Sequence, residues 1–127
     1  MEKHFIFEIA NEPGSLAEVT ETLGDAGINI EAISAGVIGE KAVVQILTNH
    51  QEDAIEVLQE ANISFTNKPV LTLKMKDTPG QVAKLTAALS NAGVNITAFY
   101  VTMKGQQVLS AEPIEKAEEI ANELRML

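Results

Sequence analysis

Apolar and polar residues alternate along VLTLKMK (70–76), the period of a strand with one face turned to solvent. HFIFEIA (4–10) is more continuously apolar and reads as a central strand. After each segment the period changes. Leu16, Val19, Thr20 and Leu23 recur at helical spacing, and so do Val82, Leu85, Thr86 and Leu89. Pro13 and Pro79 are expected at the first helical position, where a missing N–H is harmless, with Thr78 a good N-cap and Glu12 a poor one. Gly27 and Gly93 are expected to end these helices. Second strands follow at 28–37 and 94–103. Gly39 and Gly105 turn the chain into third strands at 41–48 and 106–111. Second helices close each pattern at 52–61 and 113–126, with Ile55 and Leu58, and Ile114, Ala117, Ile120, Ala121 and Leu124, on the inner faces.

The order strand-helix-strand-strand-helix therefore occurs twice, the split βαβ pattern of ferredoxin-like folds (βαββαβ when complete). The fold class is α+β: two tandem modules, each an antiparallel sheet with helices on one face. Ile63–Thr66 is the candidate fourth strand of the first copy, and the second copy lacks its own. The expected domains are 1–67 and 68–127.

A shift of 66 positions lays residues 11–30 over 77–96 without a gap, and nine of the twenty pairs are identical, among them Pro13/Pro79, Gly14/Gly80, Gly27/Gly93 and Asn29/Asn95. The chain is an internal duplication. Its 127 residues make two units of about 60, each with a modest core that benefits from a neighbour.

Composition narrows the chemistry. The chain has no cysteine, which excludes disulfides, thiolate metal sites and a cysteine nucleophile. A net charge of −9 with 4% aromatics argues against nucleic-acid binding. No apolar run reaches membrane-spanning length, and the N-terminus carries no signal-peptide pattern, so a mature cytoplasmic protein is expected. Glu52, Asp53, Glu56 and Glu60 fall on the outer face of one helix and Glu115, Glu118, Glu119 and Glu123 on that of another. Both sets read as solvated faces, not metal or acid–base sites. His4 and His50 have no partner motif. Tyr100, the lone tyrosine, reads as packing or ligand-selecting.

The run Asn/Asp-x-Pro-Gly-x-Leu/Val followed by Ala-Gly-Ile/Val-Asn-Ile, present twice in strand-helix-strand context, resembles the ACT domains of amino-acid metabolism. The resemblance covers nearly the whole chain and extends to small proteins made only of two ACT domains. It implies a binding module, not an enzyme, that takes a free amino acid, small or aliphatic, where two ACT domains meet, with no cofactor and no metal. By the same resemblance the ligand residues are Asn11, Gly14, Ser15, Leu16, Asn29 and Ile30 in the first copy, and Asp77, Gly80, Gln81, Val82, Asn95 and Ile96 in the second. A helix N-terminus offers N–H groups and a positive dipole end to an α-carboxylate. The asparagines carry both donor and acceptor. The copies differ at Asn11/Asp77, Glu12/Thr78 and Ser15/Gln81, so two equal sites are not expected.

ACT pairs commonly join through their second strands into one eight-stranded sheet. Within this chain that would separate the fourth strand of copy one from the first strand of copy two by about 29 Å at ~4.8 Å per strand. Residues 67–69 span only roughly 10 Å. Three arrangements escape the conflict. Residues 62–68 act as a crossing linker, or Asn67-Lys68 is a hairpin turn that lets one strand serve both copies, or second-strand pairing joins two chains. The last two together are favoured and predict a homodimer. The implied partner is an enzyme or regulator of amino-acid metabolism. Two other readings are a docking scaffold that binds nothing small, and an acylphosphatase-like hydrolase. The hydrolase is disfavoured because it needs an anion-binding arginine near a phosphate loop, and the single arginine, Arg125, is alone and close to the C-terminus.

Overall fold

The computed structural model describes every residue, Met1–Leu127. Its elements run β1 (Lys3–Ala10), α1 (Ser15–Asp25), β2 (Ile30–Ile38), β3 (Lys41–Thr48), α2 (Gln51–Glu60), β4 (Thr66–Pro69), β5 (Leu71–Leu73), α3 (Gln81–Asn91), β6 (Asn95–Val101), β7 (Gln107–Glu112) and α4 (Ile114–Glu123). The α+β architecture read from the sequence is the one observed. The chain divides into two compact units, Lys3–Lys68 and Pro69–Leu127 with Met1–Glu2.

In the first unit the sheet order is β2-β3-β1-β4. β1 is interior, which explains its weak alternation. Phe5 and Phe7 on one face of β1 meet Ile46 and Val44 of β3 in an antiparallel ladder. These four residues, with Val19 and Leu23 of α1 and Ala54 and Leu58 of α2, form the buried core. The helices thus cover one sheet face, as the periodicity requires. The fourth strand starts later than the sequence suggests. Ile63 and Phe65 pack against the core from the connecting segment, and pairing begins only at Thr66. Their apolar side chains gain more from burial than from strand geometry at a sheet edge. Asn67 and Lys68 lie inside β4, so they are neither a hairpin turn nor part of a crossing linker.

The second unit has a separate three-stranded sheet, order β5-β7-β6. Its core repeats the first: Leu71, Leu73, Leu85, Leu89 and Val94 stand where copy one has Phe5, Phe7, Val19, Leu23 and Ile28. Beside β5 the backbone of the C-terminal segment supplies one bond, from the Lys74 amide to the Met126 carbonyl at 2.6 Å. The duplication is not gap-free throughout. Ala35 pairs with Val44, whereas the matching Val101 pairs with Gln107. The second hairpin is therefore three residues shorter, and beyond it equivalent positions differ by 63. Gly39 and Gly105 share a sequence offset but not a structural place.

All four helices end alike. The residue after each C-cap is left-handed: Gly27, Asn62, Gly93 and Arg125, at φ 76, 57, 73 and 58°. The following amide reaches back to the helix, as Ile28 to Leu23, Ile63 to Leu58, Val94 to Leu89 and Met126 to Ala121, at 2.9–3.0 Å. These are Schellman caps.

Candidate ligand site

The Pro-Gly pairs form turns and do not start the helices. The Ser15 amide donates to the Glu12 carbonyl and the Gln81 amide to that of Thr78, both at 3.3 Å. Proline at the second turn position and a left-handed glycine at the third (Gly14 φ 93°, Gly80 φ 90°) make a type II geometry. The helices begin at Ser15 and Gln81, two residues beyond the prolines. Gly14 and Gly80 are the N-caps: their carbonyls accept from Glu18 at 3.0 Å and Lys84 at 2.9 Å. Thr78 therefore does not cap. The proline φ suits both roles, and the glycine's positive φ decides for the turn. The next amides, of Leu16 and Ala17 and of Val82 and Ala83, have no carbonyl one turn back to bond.

An added Cβ at Gly14 meets nothing within 4 Å, so substitution there strains the backbone alone. Gly14→Ala is expected to lose about 1–2 kcal/mol of stability. Gly24→Ala, inside α1 and equally open, is expected to gain roughly 0.5–1 kcal/mol. Urea unfolding of the two variants checks the opposite signs.

Beside the first turn lies a hollow of about 200 Å³. Asn11 and Leu16 line it together with Ile9, Glu12, Ala35 and Val37. Motif reading missed Ile9, Ala35 and Val37, although the period-2 pattern through Ile33, Ala35 and Val37 puts them on one face of β2. Gly14 and Ser15 stand at the adjoining helix start.

Asn29 and Ile30 are elsewhere. β1 and β2 both pair antiparallel with β3, so they run parallel to each other. The turn after β1 therefore lies at one end of the sheet, beside Lys41, and Ile30 at the other, opposite Thr48. Seven strand steps separate them, roughly 24 Å. The second copy has the same layout: Leu73, which leads to Asp77, Gly80, Gln81 and Val82, pairs with Gln107, while Asn95 pairs with Glu112 and Ile96 with Ala111. No module brings its own two groups together.

The strand starts are nonetheless shaped alike. A register shift falls between Ile30 and Ala32, and again between Ile96 and Ala98. Such bulges re-aim side chains. The Asn29 backbone is tied on both sides: its amide donates to Asn49 Oδ1 at 2.9 Å, and its carbonyl accepts from the Asn49 amide at 3.2 Å. The side chains of Asn29 and Asn95 are exposed. Leu16 is half-buried and its counterpart Val82 is 51% exposed, so the two copies present different surfaces. Phe99 packs on the second core, while Tyr100 pairs with Val108 on the opposite face, and burial pushes its hydroxyl above the usual phenol range. The helix carboxylates from Glu52 to Glu60 and from Glu115 to Glu123 are exposed.

Residues 2–126 match the family model described as an ACT domain pair. The chain belongs to the ACT domain pair family. A search of curated protein sequences finds no match. Among solved structures, a protein from Bacteroides thetaiotaomicron superposes with a TM-score of 0.87 at 23% identity, covering 98% of this chain and 89% of that one. The ligand-free regulatory subunit of aspartate kinase from Thermus thermophilus gives 0.71 at 22% identity, covering 97% and 89%. That subunit from Thermus flavus gives 0.67 at 22%, covering 96% and 90%. At these identities the likeness is one of fold. No helix is long and apolar enough to cross a membrane.

Proposed function

We propose that this ACT domain pair is a regulatory, non-catalytic cytoplasmic protein that binds a free amino acid at the junction of two ACT modules. Through that binding it modulates an enzyme or regulator of amino-acid metabolism. The observation that carries the reading is the repeated type II Pro-Gly turn, which sets two free first-turn amides at the edge of a hollow. Those amides suit an α-carboxylate, and Asn11 is placed to receive an α-ammonium. Ile9, Leu16 and Val37 give the hollow an apolar wall, and its small volume favours a small or aliphatic side chain.

The second half of the site, Asn29-Ile30 or Asn95-Ile96, must come from another module. β2 is a sheet edge, and exposed Val37 and Ile38 stand at its end; β6 is also an edge, with Val101 exposed. Pairing of such an edge with a second copy of the chain buries these residues and closes the pocket, so the working form is a homodimer.

Calorimetric titration against the twenty amino acids tests the reading. At least one small or aliphatic amino acid is expected to bind saturably at or below millimolar concentration. Asn29→Ala with Asn95→Ala is expected to weaken it at least about tenfold without loss of fold. Failure of all twenty to bind would leave a docking scaffold as the better reading.

A further inference from the structure

The second unit holds a hollow of about 290 Å³ with a chemistry unlike the first. Lys74 and Lys76 beyond β5, Lys84 of α3 and Arg125 after α4 line it, with Gln81 at the start of α3. Four of the chain's nine cationic side chains thus meet at one concavity of a protein whose net charge is −9. All four are exposed, and none is held at ion-pair distance by a carboxylate of the chain. Clustered like charges repel, so the arrangement is unfavourable until an anion enters it.

The duplication shows that the module does not require these charges. The equivalent positions in copy one are Glu8, Ala10, Glu18 and Asn62. Two lysines replace glutamates, a reversal of sign. The asymmetry extends further: residues 68–127 contain seven of the nine lysines and arginines but six of the eighteen carboxylates. Arg125 adds a separate observation. It occupies the left-handed cap position that glycine or asparagine takes in the other three helices. An arginine there strains the backbone, because its Cβ crowds the following carbonyl. The chain's one arginine is thus placed against local preference, beside the hollow.

We propose that this hollow binds a compact polyanion carrying at least two phosphate groups. A single carboxylate engages one or two donors. Three ammonium groups and a guanidinium match several phosphate oxygens, with Arg125 suited to bidentate contact and the lysines to point-charge contact.

Calorimetry on the intact chain at low salt, with inorganic tripolyphosphate as probe, tests the proposal. Saturable binding is expected, weakening as salt rises. Lys84→Glu, which installs the residue copy one already carries in this helix, is expected to weaken binding at least about tenfold. Arg125→Gly is expected to weaken it several-fold while leaving the melting temperature equal or higher, because glycine relieves the left-handed strain. A purely structural arginine would show no binding change. A nucleoside triphosphate run alongside identifies the source of the phosphates. Tighter binding than tripolyphosphate indicates a nucleotide, and equal binding indicates recognition of phosphate alone; either supports the site. Absence of saturable tripolyphosphate binding, indifference to Lys84→Glu, or tighter binding of a poly-glutamate peptide overturns it. The two readings share Gln81 but not Lys84, so amino-acid binding measured on Lys84→Glu separates them.

Discussion

Phe5→Ala is expected to remove about 3–5 kcal/mol from the first unit, a large share of its stability. Phe5 is fully buried on an interior strand. Phe65 meets it edge-on with centroids 5.2 Å apart, and Phe7 stacks at 6.3 Å. Truncation loses the transfer energy of the ring, leaves a cavity that β1 between two neighbours cannot collapse, and removes both aromatic contacts. A unit of 66 residues has a margin of only about 3–10 kcal/mol. Phe5→Leu copies Leu71 of the second module and is expected to lose roughly 1 kcal/mol. Urea unfolding followed by circular dichroism measures both. A loss below about 1 kcal/mol for alanine would show that the aromatic cluster is not a closed core.

The second large effect is one of pH. His4 is 1% exposed, and its pKa is lowered to about 4, first by burial and then by the charge of Lys68. In the unfolded chain the same imidazole titrates near 6.5. Below that value the unfolded state takes up a proton that the folded state refuses, so stability falls as pH falls. The contribution is fully present above about pH 6.5 and is lost progressively towards pH 4. Between pH 7 and pH 5 the loss is about 2 kcal/mol. His4→Leu removes the titrating group and is expected to flatten the stability profile over that interval. Equal slopes for the two proteins would show that His4 is accessible to protons in the folded state.

Much of this was legible in the residues. The repeated Pro-Gly and Ala-Gly signals mark local backbone geometry, so the helices, the hairpins and the duplication could be read directly. The helix starts were misplaced by two residues because proline φ fits both a turn and a first helical turn. Only the left-handed glycine separates the two. The fourth strand was misplaced because Ile63 and Phe65 look like a strand but serve as packing, a decision made by the core and not by local propensity. The shorter second hairpin was hidden because Gly39 and Gly105 keep the same offset while the pairing does not. Of the candidate site, the motif found the turn. It could not show that Asn29 lies a sheet's length away, since that follows from strand direction. The cationic hollow was invisible for a related reason: residues 74–84 and 124–126 meet only in three dimensions.

The parallel course of β1 and β2 has a consequence for symmetry. On the proposed reading, each module carries two dissimilar half-sites at opposite ends of its sheet. When two edges pair antiparallel about a two-fold axis, the turn of each module meets the strand start of the other, and two equivalent junctions close together. Parallel pairing aligns like ends and closes none. Ligand stoichiometry therefore reports the symmetry operator: one equivalent per paired module for a two-fold contact, and zero for an isolated module.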